Sequence, residues 1–321
     1  MKKIRVAVLG YGHLGKWHCQ KVDAHPDQVE FVAIVENFAP NKALAQAAHP
    51  KVRVVDEISE VISGIDAAIV VTPTSTHFEL VKYLLEQGKH VFCEKPLCSH
   101  DPEGKTLREI AQGKAMILQV GHSERFHQAW EKLRTEIHSL AAPFTVRINR
   151  IAPFKGRATD VDVVQDLAIH DLDLLMFLFK QRPLQVTATG QKIRTSKWDH
   201  ANIHVKLEQG CHADIVVSRN HVQEIRNLEI VSGAGTLLID LFSNKILRAP
   251  AGQFDDGTFV KEENYPKRDH LLIEHQHFYQ SIAHQAPSVV GLFDGLNAVH
   301  LVDVTLRSMA EASTVDVRLH G

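Results

Sequence analysis

The stretch Ile4-Arg5-Val6-Ala7-Val8-Leu9 runs directly into Gly10-Tyr11-Gly12-His13-Leu14-Gly15, and it decides the fold of the first part of the chain. A second apolar run, Val29 to Val35, follows and ends at Glu36. Strand, glycine loop, helix, strand and acidic residue stand in the order that a dinucleotide site requires. We therefore predict a nucleotide site here; the alternative is a tight turn that binds no ligand.

Each position of the glycine loop has a physical reason. Gly10 permits the tight turn, Gly12 lets the backbone approach a pyrophosphate, and Gly15 lets the helix pack closely on the strand. His13 and Leu14 open the helix, whose first N–H groups and partial positive charge favour a phosphate. We predict that these five residues bind the cofactor.

Glu36 indicates which cofactor is bound. It follows Gly15 by 21 residues, close to where a ribose-binding acid belongs. A carboxylate accepts hydrogen bonds from a free ribose 2′-OH and repels a 2′-phosphate, and no Arg is adjacent. We therefore predict NAD rather than NADP.

Bulk properties are those of an ordinary globular chain of about two domains, with 321 residues, 44% hydrophobic and 23% charged. The net charge of −2 gives no global attraction to nucleic acid or an anionic membrane. The apolar runs are too short to span a bilayer, and Met1-Lys2-Lys3 leads straight into the first strand, so we expect no signal peptide. The four cysteines form no CxxC pair and are expected to be buried thiols in the cytoplasm.

The first part of the chain alternates between strand-like and helical patterns. Strands are predicted over 4–9, 29–35, 52–55, 67–71, 90–93 and 115–120, with helices between them such as 76–87. Alternation of this kind favours an α/β fold, with a doubly wound parallel sheet covered on both faces. We predict an NAD-binding Rossmann domain over residues 1–122.

After His122 the pattern changes. We predict helices over 124–139 and 163–179 and, near the end, over 269–285 and 294–312. Strands are predicted over 144–151, 184–193, 201–208, 211–218, 227–232 and 236–241, and Ala249 to Thr258 is expected to be an exposed loop. Consecutive strands without helices between them favour an antiparallel sheet. Residues 123–321 are therefore predicted to form a C-terminal α+β domain with an open, mainly antiparallel sheet, for substrate binding and oligomerisation.

Cys93-Glu94-Lys95-Pro96 ends the fifth predicted strand. Ligands of open α/β sheets bind outside the carboxyl ends of the strands, so Lys95 is placed where a nicotinamide ring would lie. Pro96 restricts the backbone of the residue before it. The alternative is a solvated lysine in front of a turn proline.

Asp166 and His170 stand four residues apart in a strongly apolar predicted helix, so they share one helical face. His170 is either a structural histidine held by Asp166 or a base that removes a proton from a substrate hydroxyl. A metal site with Asp171 or Asp173 is a third alternative, but no HxH, CxxC or HExxH spacing supports it, and we expect no metal.

These motifs together resemble the Gfo/Idh/MocA oxidoreductases, a family named for glucose–fructose oxidoreductase and inositol dehydrogenase. The resemblance covers essentially the whole length, and its markers are Gly10 to Gly15, Val71-Thr72-Pro73-Thr74-Ser75-Thr76-His77, Glu94-Lys95-Pro96 and Asp166-x-x-x-His170. It implies NAD(P)-dependent oxidation or reduction at a sugar or polyol carbon. It further implies catalytic roles for Lys95, Asp166 and His170, and a cofactor-lining role for Thr72, Pro73, His77, Glu94 and Lys95.

A narrower resemblance concerns the substrate. Val120-Gly121-His122-Ser123-Glu124-Arg125-Phe126-His127 is similar to the GHxERFNP stretch of enzymes that oxidise UDP-N-acetylglucosamine at C3, with a departure at His127 and Gln128. Val161 to Asp171 is similar to them as well. The resemblance implies a sugar dehydrogenase acting on a nucleotide sugar.

Basic residues crowd the region before the predicted catalytic helix: Arg147, Arg150, Lys155 and Arg157. They are suited to clamping a diphosphate, or they form a solvated basic edge. We predict substrate-binding roles for Arg125, Lys155, Arg157 and His170.

Two classes of function stay open at this point. One is a dehydrogenase of a nucleotide sugar, a free sugar or a polyol, in which either Lys95 or His170 is the base. The other is a non-catalytic NAD-binding sensor on the same fold. Apolar alternation along Ile203, Val205 and Leu207 and along Ile215 and Val217 leads us to expect a homodimer or homotetramer that pairs through the open sheet.

Overall fold

A computed structural model of the chain describes residues 2–156, 158–252 and 260–320. Its strands are β1 (Ile4–Leu9), β2 (Val29–Val35), β3 (Arg53–Val55), β4 (Ala67–Val70), β5 (His90–Glu94), β6 (Leu118–Gly121), β7 (Phe144–Ile151), β8 (Pro183–Gln191), β9 (His200–Leu207), β10 (His212–Ser218), β11 (Ile225–Ser232), β12 (Gly235–Asp240), β13 (Lys245–Pro250), β14 (Lys261–Asn264) and β15 (Val315–Asp316). Its α-helices are α1 (His13–Asp23), α2 (Ala39–Ala48), α3 (His77–Glu86), α4 (Asp101–Ala111), α5 (Gln128–His138), α6 (Ile169–Leu178), α7 (His270–His284) and α8 (Leu292–Glu311).

The described chain divides into two compact units. The first contains the residues up to Phe126 together with Asp269–Val299, and the second contains His127–Arg268 together with the residues from His300 onward. The single boundary at residue 122 stays a prediction. Among the described residues, no helix is long and apolar enough to cross a membrane.

The first unit is built on a six-stranded sheet in the order β3-β2-β1-β4-β5-β6, with every pairing parallel. Both faces are covered, which explains why all four residues of β4 are buried. On one face Val6 and Val8 pack in a cluster with Phe278 and Tyr279 of α7. On the other face Ala7 and Leu9 belong to a cluster that takes in α3 and α4. The predicted Rossmann sheet is confirmed.

The second unit is built on a nine-stranded sheet in the order β14-β13-β12-β11-β7-β10-β9-β8-β15. Its pairings are antiparallel except for β7 with β10, which is parallel. The prediction of a mainly antiparallel sheet is confirmed. Burial alternates along β9, where Ala201, Ile203, Val205 and Leu207 are buried and the residues between them are exposed.

This alternation shows that the apolar residues proposed for self-association were assigned to the wrong face of the sheet. Ile203, Val205, Leu207, Ile215 and Val217 are buried within the chain itself, so they do not form an apolar face for a partner. The opposite face of these strands carries polar side chains such as Thr187, Asn202, His204 and Asp214.

Three local features differ from the sequence predictions. The helix predicted over 163–179 opens with a π-turn at Val164–Ala168 before α6 begins. Strands β13, β14 and β15 were not predicted; β14 is four residues long and has no apolar residue, and in β13 the apolar pair Ile246 and Leu247 stands between Lys245 and Arg248 without alternation. The loop expected over Ala249 to Thr258 begins with the last two residues of β13, and residues 253–258 of it lie outside the described residues.

Candidate active site

The glycine loop lies at the carboxyl end of β1, between the ends of β2 and β4. Gly10 has a φ of +97°, and a Cβ there would lie 2.7 Å from the carbonyl oxygen of Val71. A Cβ on Gly15 would lie 2.2 Å from the carbonyl oxygen of Gly10. These two glycines are therefore required by the packing of the loop itself.

Gly12 is different, because a Cβ added to it meets nothing within 4 Å. It immediately precedes α1, whose N-terminus has no side-chain cap and no acidic residue in its first turn. His13 and Leu14, the first residues of α1, are exposed. Open space over Gly12 and uncapped N–H groups together fit a bound pyrophosphate.

Glu36 is nearly buried at the end of β2, and its carboxylate braces two backbone segments. One oxygen accepts the backbone N–H of Tyr11 at 2.8 Å, and the other accepts the backbone N–H of Phe38 at 2.8 Å. The side chain of Asn41 donates to it at 3.4 Å. Glu36 therefore ties the glycine loop to the segment that enters α2.

His77, at the start of α3, is buried and lies between two loops at the same edge of the sheet. Its Nδ1 is 2.7 Å from the carbonyl oxygen of Pro96, and its Nε2 is 2.9 Å from the carbonyl oxygen of Thr72. Pro73 is exposed next to it, and the Thr72 hydroxyl accepts a hydrogen bond from Thr76 at 2.7 Å. His77 thus joins the loop after β4 to the loop after β5.

Glu94 ends β5 opposite Gly121 of β6, and a Cβ on Gly121 would lie 2.9 Å from the Glu94 carboxyl carbon. One carboxylate oxygen accepts the backbone N–H of Lys95 at 3.1 Å, and the other lies 2.9 Å from Nε2 of His18. Burial alone would raise the pKa of Glu94, but the bond from His18 and the charges of His18 and Lys95 outweigh it, so this pKa lies below its usual value. The carboxyl group beside Lys95 is ionised at neutral pH.

Arg125 occupies the 3-10 turn Ser123–Phe126 after β6 and is buried. Its guanidinium donates to the Asp294 carboxylate at 2.9 Å and to the Val289 carbonyl at 3.2 Å. Arg125 therefore holds the segment that enters α8. The predicted contact of Arg125 with substrate would be a second role beside this structural one.

In the second unit, Asp166 lies inside the π-turn and His170 lies in the first turn of α6. π-turns inside helices are frequent at functional sites. Both residues are half-buried, and Asp166 lines a cavity of about 220 Å³.

The neighbouring acid Asp171 is fully buried and is held by Arg150, which donates to both carboxylate oxygens at 2.7 to 3.1 Å. Burial raises the pKa of Asp171, although Arg150 acts in the opposite direction. Asp173 is also buried. Arg150 is thus committed to fixing α6 on the sheet.

The cavity beside Asp166 has a basic lining that includes Arg150, Lys155, Arg219 and Arg226. Lys155 forms an exposed ion pair with Glu224 at 2.8 Å. Arg147 alternates to the other face of β7, where it pairs with Glu229 at 3.1 Å, so Arg147 and Arg150 do not belong to one cluster as the sequence analysis proposed. Arg157 lies outside the described residues.

Two arginines of this cavity carried no sequence signal. Burial lowers the pKa of Arg226 to about 10, so its guanidinium still carries its charge at neutral pH. Arg219 donates to buried Asp199 at 2.7 Å and to the Val161 carbonyl at 3.0 Å. Burial opposes ionisation of Asp199, but bonds from three backbone N–H groups and from Arg219 outweigh it and hold its pKa far below the usual range.

Comparison with known proteins agrees with this geometry. Residues 4–122 match the model of the oxidoreductase family with an NAD-binding Rossmann fold, and residues 145–238 match the Gfo/Idh/MocA C-terminal domain. The UDP-N-acetylglucosamine 3-dehydrogenase of Acidithiobacillus ferrooxidans is 33% identical over 89% of this chain and 91% of its own length. The chain belongs to the Gfo/Idh/MocA family.

Further members of the family extend the comparison. The inositol 2-dehydrogenase of Rhizobium meliloti is 26% identical over 98% of this chain and 99% of its own. A solved structure of the A. ferrooxidans enzyme superposes with a TM-score of 0.87, covering 97% of this chain and 99% of that one. This Gfo/Idh/MocA protein is an NAD-dependent dehydrogenase of CH–OH groups, which decides against the sensor alternative.

NAD fits the first unit of this family member. The open space over Gly12, the uncapped start of α1 and the acid at the end of β2 stand at the places where a pyrophosphate and a ribose would be held. All of them lie at the carboxyl edge of the parallel sheet.

Proposed function

We propose that this dehydrogenase oxidises the C3 hydroxyl of a UDP-linked N-acetylhexosamine, with UDP-N-acetylglucosamine as the first candidate. The observation that carries the proposal is the 33% identity, over nearly the whole of both chains, to a UDP-N-acetylglucosamine 3-dehydrogenase. Gly121 to Phe126 and Val161 to Asp171 give the local support described above.

The basic cavity of the second unit supports a diphosphate-bearing substrate. Arg226 is a buried cation beside Asp166, and Lys155 stands at the exposed rim. Guanidinium and ammonium groups recognise phosphate by charge-assisted hydrogen bonds. The volume of about 220 Å³ is below that of whole ligand sites, so the cavity accounts for one part of the substrate.

In the proposed mechanism, Lys95 and His170 act on the hydroxyl that is oxidised, and one of them takes its proton. Asp166 orients His170. Bound NAD supplies the acceptor for the hydride. Thr72, Pro73, His77 and Glu94 shape the wall beside the nicotinamide, and Arg125, Lys155, Arg157 and His170 hold the substrate. Lys95 and His170 come from different units of the chain and must meet on the same substrate carbon for this mechanism to work.

The test is a substrate panel with purified protein and NAD: UDP-, GDP- and dTDP-sugars, free N-acetylglucosamine and myo-inositol. We expect NADH to form with UDP-N-acetylglucosamine, and we expect that ligand at a hundredfold excess over its Kd to stabilise the fold by about 3 kcal/mol. Absence of both effects with every UDP-sugar would sink the proposal.

A free polyol is the second candidate, favoured by the full-length similarity to an inositol 2-dehydrogenase. The variant Lys155→Met distinguishes a UDP-sugar from a free polyol as the substrate. Lys206→Met, at an exposed position of β9, is its control. Loss of a phosphate contact should raise KM for a UDP-sugar by about tenfold and leave a polyol unaffected.

We also propose that the enzyme works in the cytoplasm as a homodimer or homotetramer. Its four cysteines are all buried free thiols, which suits a reducing compartment.

A further inference from the structure

A row of buried polar side chains crosses the interior of the first unit. It begins at Glu94, whose carboxylate lies 2.9 Å from Nε2 of His18 on α1. Nδ1 of His18 lies 2.9 Å from Nε2 of His275 on α7, and Nδ1 of His275 lies 3.0 Å from the hydroxyl of Tyr279. His18, His275 and Tyr279 are at most 1% exposed.

The surroundings of the row are apolar, which makes its hydrogen bonds obligatory. Phe92 of β5 contacts both imidazoles, with ring centroids 5.4 Å apart in each case. A buried polar group without a partner is strongly unfavourable, and here every ring nitrogen of His18 and His275 has a partner. Neither cofactor binding nor the proposed substrate chemistry explains why His275 and Tyr279 should be polar.

Tyr279 connects the row to the other end of the sheet. It lines a cavity of about 700 Å³ together with Lys3 before β1, Asp66 before β4 and His90 at the start of β5. Glu94 is at the opposite end of β5, directly before Lys95. The row therefore leads from this cavity, called the groove below, to the carboxylate beside Lys95.

The three hydrogen bonds can be made with two different numbers of protons. With three protons, Tyr279 donates to His275, His275 donates through Nε2 to His18, and His18 donates to Glu94. With a fourth proton, His18 carries hydrogen on both nitrogens, His275 donates through Nδ1 to Tyr279, and the phenol turns its own hydrogen toward the groove. No hydrogen bond is lost between the two states.

Electrostatics agree with this scheme. Burial, together with the charges of His18, His25 and Lys21, lowers the pKa of His275 far below its usual value, so this ring keeps a single proton. Burial raises the pKa of Tyr279, so the phenol stays neutral. Among the described residues, the ionisable groups that act on the row include Glu94 at the end of β5 and Lys95 after it, Cys19 and Lys21 on α1, His25 just after α1, and His275 and Tyr279 on α7.

We propose that His18, His275 and Tyr279 are positioning residues of the dehydrogenase, which fix the Glu94 carboxylate beside Lys95 and set the net charge of the Glu94–His18 pair by taking up one proton from the groove. In the three-proton state Glu94 is a full anion next to Lys95. In the four-proton state the His18 imidazolium offsets that charge, so Lys95 lies beside a Glu94–His18 pair with no net charge. The inference rests on the role of Lys95 in the proposed function.

The first test needs no cofactor or substrate. In ¹⁵N-histidine NMR of the full chain, acidification within the folded range should give His18 a second N–H and, in the same step, switch His275 from the Nε2–H to the Nδ1–H tautomer. A His275 that keeps one tautomer while His18 gains a proton, or a His18 that gains none, would overturn the inference.

His18→Gln gives the second test, because glutamine can donate to Glu94 and accept from His275 but cannot take up a proton. His100→Gln, an exposed histidine in front of α4 and outside the row, is the matched control. With whichever substrate the panel identifies, wild type and His100→Gln should lose about tenfold in kcat/KM through one step on acidification, and His18→Gln should lack that step. KM for NAD should not change.

The outcomes separate the two proposals. If the NMR switch occurs but no UDP-sugar is oxidised, the row stands and the substrate assignment fails. If a UDP-sugar is oxidised and His18→Gln keeps the wild-type pH profile, the row is only structural and the inference fails. Should His18→Gln not fold, the NMR titration of the wild-type protein decides alone.

Discussion

The carboxylate of Glu36 accepts the backbone N–H of Tyr11 over 2.8 Å, so the acid at the end of β2 is fastened to the glycine loop after β1. The residue predicted to bind the ribose and the loop predicted to bind the phosphates are therefore joined directly. A change at Glu36 removes this hydrogen bond to the loop in addition to any contact with the ribose.

Glu36→Ala should weaken NAD binding by roughly 10- to 100-fold, because it removes a charged acceptor from two backbone N–H groups as well as from the ribose. The preference for NAD over NADP should shrink, since the repulsion of a 2′-phosphate disappears. Fluorescence titration with both reduced cofactors measures this. Tighter binding of NADP than NAD by the wild-type protein would contradict the role of Glu36.

Gly12 and Gly15 form a matched pair for separating binding from folding. Gly12→Ala adds a methyl group to open space, so the melting temperature should not change, while NAD binding weakens by about tenfold or more. Gly15→Ala places a methyl group 2.2 Å from the Gly10 carbonyl oxygen and should destabilise the fold by about 1–3 kcal/mol. Equal effects of the two substitutions on stability would show that Gly12 is a packing glycine.

The elements that sequence could predict are those with a local pattern. β1 and β2 were predicted to the residue because an apolar run and its bounding glycine or acid are visible in a short window. The parallel pairing of the first sheet was predicted from the alternation of strands and helices. β14 has no apolar residue and β13 has only a short apolar stretch; their strand character comes from the pairing of β13 with β12 and of β14 with β13, which no window of sequence displays.

The site was harder to predict because its partners are distant in sequence. Lys95, Asp166 and His170 are predicted through motifs, and their catalytic roles stay predictions. Nothing in the sequence pairs Arg150 with Asp171 or joins His18 to His275, which is 257 positions away. Burial decides these pairings, because a polar group inside the core must bond to whichever polar group the fold brings near.

Asp199→Asn should destabilise the second unit by about 3–5 kcal/mol at pH 7, because it leaves the guanidinium of Arg219 buried without its counter-ion. The folded-state pKa of Asp199 is depressed, so its stabilisation is present above the ordinary carboxyl pKa of about 4 and is lost as the pH falls below it. Urea unfolding of the wild type and the variant at pH 7 and at pH 3 measures the loss of stability and its dependence on pH. The exposed Asp160→Asn is the control, and a destabilisation that stays constant down to pH 3 would contradict the depressed pKa.

Self-association through the outer face of the second sheet stays a prediction, although the apolar argument made for it from the sequence is wrong. The apolar alternation that motivated it is buried within the chain, and the outer face is polar, with His204 and Asp214 paired at 2.8 Å. A dimer that used this face would bury that pair, so Asp214→Lys should shift the mass measured by light scattering at micromolar concentration toward the monomer. A wild-type monomer at that concentration would refute the prediction.

The most decisive prediction concerns Lys95 and His170. Lys95→Ala and His170→Ala should each lower turnover by roughly 10²–10⁴ and leave NAD binding nearly unchanged, because a positioned acid or base contributes that much to proton transfer. Single-turnover formation of NADH and NAD titration measure the two quantities separately. His138→Ala at the end of α5 is a control for histidine removal from the same unit.

The pH dependence of the two variants would then identify the base. If His170 takes the proton, His170→Ala should abolish the acid limb of the oxidation profile, and Lys95→Ala should lower the rate at every pH while preserving that limb. The reverse pattern would assign the proton to Lys95. A double substitution that leaves oxidation unchanged would remove both residues from the mechanism, and with them the requirement that the loop after β5 and the start of α6 meet at one substrate carbon.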